Sequence, residues 1–295
     1  PRRPCRAPAP RRPGRWAPAR RIGAPAAAGW EAARMQADAA EERPEAEPRG
    51  LDPASIHNVD QRTPVVTFSH VALLGRPLRL TQHGATSPGF NTGTSSVVWP
   101  TAFRMARHLC EHPGLVRGKS VVEVGAGIGL VGGVAAALGA ACTVLTDCDC
   151  AMPVLEQNRA MLQECGAAVE VTRVDWGDEG DHATALSLCP GGEGFEVVLA
   201  SDLAFAAVHT DRLAVSCGRL LARRPGARVL LGFEFREEWE TIGNFIAMME
   251  ELGLRCASFA ALAGGADGEP GGESEDSDCD PEFLLYTFCW AEETD

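Results

Sequence analysis

The stretch Ser120-Val-Val-Glu-Val-Gly125-Ala-Gly-Ile-Gly129-Leu-Val-Gly132 decides the fold of this 295-residue chain. Ser120–Val124 is an apolar run broken only by Glu123, the pattern of a short strand buried on both faces. The glycines that follow permit a tight turn and a close approach of backbone to ligand. Leu130–Leu138, rich in small residues and closed by Gly139, then has the spacing of a helix. A strand, a glycine turn and a helix in that order make a nucleotide site. The motif alone leaves the nucleotide open, because Gly127-Ile-Gly-Leu-Val-Gly132 also satisfies the dinucleotide G-x-G-x-x-G pattern.

Working outward, strands and helices alternate. Strands are predicted at Cys142–Asp147, Val169–Val174, Phe195–Ser201 and Arg228–Phe233. Helices are predicted over Val154–Cys165, Thr210–Ala222 and Glu237–Leu252. Leu254–Phe259 and Phe283–Trp290 read as two closing strands, which suggests an antiparallel addition at one sheet edge. Upstream, Val65–Gln82 reads as a β-hairpin, and residues 101–113 as a helix that stops before Pro113. Repeated βα units with near-continuous apolar strands predict an α/β fold. It is a Rossmann-like, doubly wound, seven-stranded sheet with helices on both faces and an N-terminal β-hairpin extension.

Residues 1–55, Arg-, Pro- and Ala-rich and then acidic, are predicted to be disordered, leaving 56–295 as the folded domain with an acidic loop over 264–282. Residues 1–30 carry eight arginines and no acid, so the net charge of −13 conceals −21 on the remainder. So acidic a domain repels nucleic-acid phosphate and suits a basic partner, although acidity also serves solubility alone. No apolar run approaches the roughly 20 residues that span a bilayer, so neither nucleic acid nor membrane is an expected partner. Eleven cysteines, an odd number and mostly scattered, argue against a disulfide framework. Cys148-Asp-Cys150 lacks further ligands in sequence, so no metal is expected. A monomer in the reducing cytoplasm is the expectation. The alternatives are the nucleus, or an organelle reached through the Arg-rich start, and a chain opening on Pro1 is expected to lack its natural start.

Two carboxylates bear on the ligand. Glu123 stands two residues before the first glycine, at the strand's mouth, where it would repel a pyrophosphate and tolerate a cationic amino-acid group. Asp147 ends the second core strand, placed to accept hydrogen bonds from both hydroxyls of a ribose. Alternatively, Glu123 caps backbone N–H groups and Asp147 forms a turn. Trp176 could supply the flat wall an adenine needs.

Glu123-Val-Gly-Ala-Gly-Ile-Gly-Leu-Val-Gly, with Leu138-Gly-Ala and Thr146-Asp, resembles the seven-stranded protein-lysine methyltransferases of methyltransferase family 16. Val98-Trp99-Pro100, Leu155 with Asn158, Asp175-Trp176 and Ala200-Ser-Asp202 extend the resemblance over about residues 65–290. It implies a class I S-adenosylmethionine-dependent fold and a protein substrate with a basic or lysine-bearing surface. The cofactor would be held by Trp99, Glu123, Gly125, Ala126, Gly127, Gly129, Asp147, Trp176 and Ala200. Asp202 and Phe205 would serve the acceptor. The family's Asp-x-x-Tyr is here Asp202-Leu-Ala-Phe205, so the aromatic wall is kept and the phenol is not. The chain's single tyrosine, Tyr286, is far away in sequence. A small-molecule N- or O-methyltransferase and a catalytically weak cofactor-binding protein are the competing expectations. A nicotinamide oxidoreductase is disfavoured by Glu123. His209 and Glu234 are secondary candidates at the same rim, and Arg236 is expected to pair with nearby acids.

Overall fold

The computed structural model describes residues 63–83, 93–203, 209–235, 239–262 and 283–291, all within the unit Arg49–Asp295. Nine strands are assigned among them. β1 (Val65–Phe68) and β2 (Leu78–Thr81) form an antiparallel hairpin with Val65 opposite Thr81. The other seven build one sheet: β3 (Ser120–Val124), β4 (Cys142–Asp147), β5 (Glu170–Arg173), β6 (Val197–Ser201), β7 (Arg228–Glu234), β8 (Leu254–Ala261) and β9 (Phe283–Trp290). The order is β5-β4-β3-β6-β7-β9-β8. All neighbours from β5 to β7 are parallel, whereas β9 runs antiparallel to both β7 and β8. The antiparallel addition predicted from the sequence is therefore present, with the later strand inserted inside the earlier one.

Six helices cover the sheet: α1 (Pro100–Glu111), α2 (Leu130–Ala137), α3 (Met152–Glu164), α4 (Glu179–Ser187), α5 (Thr210–Leu220) and α6 (Trp239–Glu251). Alternate strand residues feed two cores. Val121, Leu145, Val197, Leu199 and Leu230 pack with α1, α2, α3 and the hairpin's Phe68, Leu78 and Leu80. Val122, Val124, Val144, Val198 and Leu231 pack with α4, α5 and α6. Fully buried Leu and Phe side chains such as Leu145, Leu155, Phe245 and Phe288 each contribute roughly 1.5–3 kcal/mol of transfer free energy.

Helix α4 was not predicted. Its sequence, Glu-Gly-Asp-His-Ala-Thr-Ala-Leu-Ser, is short and carries few large apolar residues. Its start is marked by the Asp178 side chain, which accepts the Asp181 N–H at 2.9 Å. The predicted disordered segment 1–55 and acidic loop 264–282 lie outside the described residues. None of the described helices is long and apolar enough to cross a membrane.

The strand order reverses at β3: β4 and β5 lie on one side of it, β6 and β7 on the other. Connections leave in opposite directions there, which opens a crevice at the C-terminal ends of β3, β4 and β6.

Candidate functional site

Strand β3 is buried along its whole length and delivers the chain into the glycine turn. Gly125, Gly127 and Gly129 all have positive φ (61°, 55° and 86°), a region that other residues enter only at a cost. A Cβ at Gly125 would meet the Leu203 side chain at 2.6 Å, and one at Gly127 the Ser95 carbonyl oxygen at 3.2 Å. The turn is pinned by the Ala126 N–H, which donates to the Thr146 carbonyl at 2.9 Å.

Glu123 is 2 % exposed and accepts the Gly132 N–H on Oε2 at 2.7 Å. Burial pushes its carboxyl up to about 8, opposed by the Gly132 hydrogen bond and reinforced by the charge of Asp147. A buried carboxyl with so little donor support favours a cationic neighbour, whose charge would restore the ionised form. Asp147 is 6 % exposed. Its Oδ2 accepts the Gly127 N–H at 2.8 Å, and its Oδ1 accepts the Cys148 N–H at 2.7 Å and the Ser95 hydroxyl at 3.5 Å. Burial raises its carboxyl above the usual range, and those donors lower it. Both structural readings of these acids are therefore realised: Glu123 satisfies an N–H group of α2, and Asp147 closes the turn.

A cavity of about 300 Å³ opens between these groups, at the lower end of ligand-site volumes. Of the residues singled out in the sequence, Trp99, Glu123, Gly125, Ala126, Gly127, Asp147, Trp176 and Asp202 line it. Trp99 directly precedes α1, and Trp176 packs in part on the α4–α6 core. Two expected residues are placed elsewhere. Ala200 is fully buried in β6 between Val124 and Leu231 and is not on the cavity wall. Gly129 is also off the wall; a Cβ there would meet Leu145 at 2.9 Å and Leu155 at 3.1 Å.

Asp202 is one of two non-glycine residues with positive φ among the described residues, at 57°, and its N–H donates to the Gly232 carbonyl at 2.9 Å. Strain of this kind persists where the surroundings over-determine it, and it collects at working sites. Beside it, the Ser201 hydroxyl is buried without a hydrogen-bond partner while its residue lines the cavity. His209, at the start of α5, is exposed and on the wall. Glu234 is buried at the end of β7 but off the wall. Phe205 and Arg236 lie outside the described residues. Tyr286 sits in β9 opposite Leu231 and stacks between Phe259 and Phe288, with burial pushing its phenol up to about 12.

Sequence reasoning missed Ser95, Leu203 and Arg212, which reach the cavity from three separate segments. Only the tight approach at Gly125 and Gly127 hinted that something must lie against the turn. Asn158, expected from the motif, serves a different end from the cofactor. Its Oδ1 accepts the Thr81 N–H at 2.7 Å, and its Nδ2 donates to the Thr81 and Ile128 carbonyls, both at 2.9 Å. It thereby fastens the hairpin to the glycine turn. Among the described residues no three His, Cys, Asp or Glu side chains are grouped to hold a metal ion. The Cys148 and Cys150 sulfurs lie 3.0 Å apart beside the cavity.

A profile of lysine methyltransferases matches residues 79–252. EEF1A lysine methyltransferase 3 of Xenopus tropicalis is 27 % identical over 181 residues, 60 % of this chain and 72 % of that protein. Protein N-lysine methyltransferase METTL21A of Danio rerio is 36 % identical over 115 residues, 38 % of this chain and 49 % of that protein. The Mus musculus protein of that name is 31 % identical over 160 residues, 54 % of this chain and 68 % of that protein. The chain thus spans from about half to about seven-tenths of these relatives. Among solved structures, the magnesium protoporphyrin IX methyltransferase of Synechocystis with S-adenosylmethionine bound aligns with a TM-score of 0.42 at 14 % identity, over 65 % of this chain and 78 % of that one.

Proposed function

The chain belongs to the lysine methyltransferase family, and from that premise we propose that it transfers a methyl group from S-adenosylmethionine to a lysine of a protein substrate. The observation that carries this reading is the pair of buried carboxyls, Glu123 and Asp147, at the mouths of adjacent strands on one cavity. Their environments differ in the way the two ends of that cofactor require. Glu123, raised by burial, suits the cationic amino-acid end, and Asp147, held by three donors, suits ribose hydroxyls. Trp176 and Asp175 supply a flat wall and a polar edge for adenine, and Trp99 adds a second aromatic to the cavity wall. The unpartnered Ser201 hydroxyl leaves polarity for a ligand on the cavity wall.

When bound, S-adenosylmethionine supplies a methyl carbon on a positively charged sulfur; the acceptor nitrogen bonds to that carbon as the carbon–sulfur bond breaks. The protein must hold the acceptor in line and exclude water. A lysine amine, with an ordinary pKa of about 10.4, must also lose a proton. Asp202, buried on the cavity wall with its backbone held by the Gly232 carbonyl, is the carboxylate we assign to receiving and orienting the acceptor amine, and Leu203 packs beside it against Gly125. The nine cysteines described are all thiols, which suits a reducing compartment such as the cytoplasm.

The test is to incubate the chain with methyl-labelled S-adenosylmethionine and a lysate from cells lacking the enzyme, then hydrolyse the labelled bands. Label recovered as methyl-lysine supports the proposal. Label recovered as methylarginine, or only in small molecules, moves the acceptor elsewhere. Cofactor binding without any transfer would make this a binding protein.

A further inference from the structure

Two loops flank the adenosine end of the cavity. The loop after β4 carries Cys148 and Asp149, and the loop after β5 carries Asp175 and Trp176. Cys148, Asp175 and Trp176 all lie on the cavity wall. The last residue of β5, Arg173, pairs in register with Asp147 on β4 and is not itself on that wall.

The Arg173 guanidinium joins the two loops. Its Nε lies 2.9 Å from Asp149 Oδ1, a close ion pair without hydrogen-bond alignment. Its Nη1 donates to both carboxylate oxygens of Asp181, at 2.8 and 2.7 Å, and its Nη2 lies 3.7 Å from Asp175 Oδ2. Asp181 in turn accepts the Asp175 backbone N–H at 2.8 Å, so the same carboxylate holds both the cation and the backbone preceding Trp176. One cation thus gathers three carboxylates from the β4–α3 loop, the β5–α4 loop and α4 itself.

We infer that Arg173 is a positioning residue for the adenosine half of the cofactor, acting through Asp149 and Asp175 rather than by contact. The inference rests on the proposed function, in which this cavity holds S-adenosylmethionine. Without the guanidinium, three like charges face one another across the two loops and push them apart. Isolated ion pairs at an exposed site contribute little. Here the charges form one network, and the planar guanidinium meets carboxylates on different edges at once, which a lysine ammonium cannot do. Arg159 is the natural contrast. It lies 3.4 Å from Glu156 and 4.0 Å from Glu170 near the same sheet edge, and it touches neither loop.

The experiment is calorimetric binding of S-adenosylmethionine, and of 5′-methylthioadenosine, which lacks the amino-acid end. The full chain is compared with Arg173→Gln, Arg173→Lys and Arg159→Gln. Arg173→Gln is expected to raise both dissociation constants about five- to tenfold, by the same factor, while kcat at saturating cofactor stays within about twofold. Arg173→Lys should recover less than half of that loss, and Arg159→Gln should lose nothing. Equal affinities for wild type and Arg173→Gln would overturn the inference. So would a loss seen only with S-adenosylmethionine, full rescue by lysine, or a fall in thermal midpoint and kcat that accounts for the change. If the wild type itself binds no S-adenosylmethionine, the cofactor reading fails and takes this inference with it. Binding by the wild type with an unaffected variant sinks this inference alone.

Discussion

The two ends of the cavity are held by different physics. At the glycine turn the constraints are directional hydrogen bonds, buried or partly buried: Gly132 on Glu123, Gly127 and Cys148 on Asp147, and Asn158 bridging Thr81 to Ile128. At the Trp176 end the constraints include charges at the surface. The Arg173 side chain is 38 % exposed, and its partners Asp149 and Asp175 are 79 % and 58 % exposed. Buried hydrogen bonds resist salt and are costly to break one-sidedly, whereas exposed ion pairs are screened and individually weak. One ligand would therefore be gripped at one end by geometry that folding has already set, and at the other by an arrangement that solution conditions can loosen.

The contrast can be broken in several places. The largest effect is expected from Asn158→Ala. It leaves the Thr81 N–H and the Thr81 and Ile128 carbonyls without their side-chain partner in a fully buried position, costing about 3 kcal/mol. Calorimetry should show the midpoint falling by roughly 6–12 °C. A change of under about 2 °C would mean the hairpin is not fastened there. Next comes Asp147→Asn. An amide cannot accept from both the Gly127 and Cys148 N–H groups, so cofactor affinity should fall about ten- to a hundredfold by calorimetry. Unchanged affinity would remove Asp147 from the ribose.

Glu123 gives a smaller effect with a definite sign. Its carboxyl is raised from the ordinary 4.5 to about 8 in the folded chain, so between those values the folded state holds a proton that the unfolded state has lost. Stability without cofactor should therefore be fully present below about 4.5 and decline as pH rises through about 8. Glu123→Gln should flatten that part of the profile, as followed by thermal midpoints. By linkage, S-adenosylmethionine should bind more tightly as pH rises through the same window, because its cationic end favours the ionised carboxylate. The smallest effect separates the two ends directly. Raising salt from about 0.05 to about 0.5 M should weaken 5′-methylthioadenosine binding by no more than about threefold in the wild type, and less in Arg173→Gln. An equal salt response in both would erase the distinction.

What could be read beforehand follows the same division. The apolar run Ser120–Val124, the glycines after it, Glu123 and Asp147 were legible because burial and tight turns restrict which residues can stand there. Trp99 and Trp176 were legible through the motif. Ser95, Leu203 and Arg212 were not, because they reach the cavity from separate segments and no local pattern marks them. Helix α4 escaped because its stability rests on a cap and on packing by His182 and Ala185 rather than on an apolar stripe. Ala200 and Gly129 resemble site residues in sequence but lie off the cavity wall, a distinction that only three-dimensional placement makes. Strand periodicity located β8 and β9 but said nothing about which would lie outermost.

That last placement bears on how the molecule is made. β9, the latest strand in the described sequence, lies between β7 and β8, hydrogen-bonded along both edges. During synthesis at roughly 5–20 residues per second, β3 to β7 can pair as they emerge, but β8 has no neighbour until Phe283–Trp290 arrives. Until then the β7 edge stands open, lined by Leu231 and Phe233, and exposed to pairing with a foreign strand. The glycine turn would thus be shaped well before the sheet is closed, and a nascent chain that already carries its cofactor cavity would still depend on its final strand to escape aggregation.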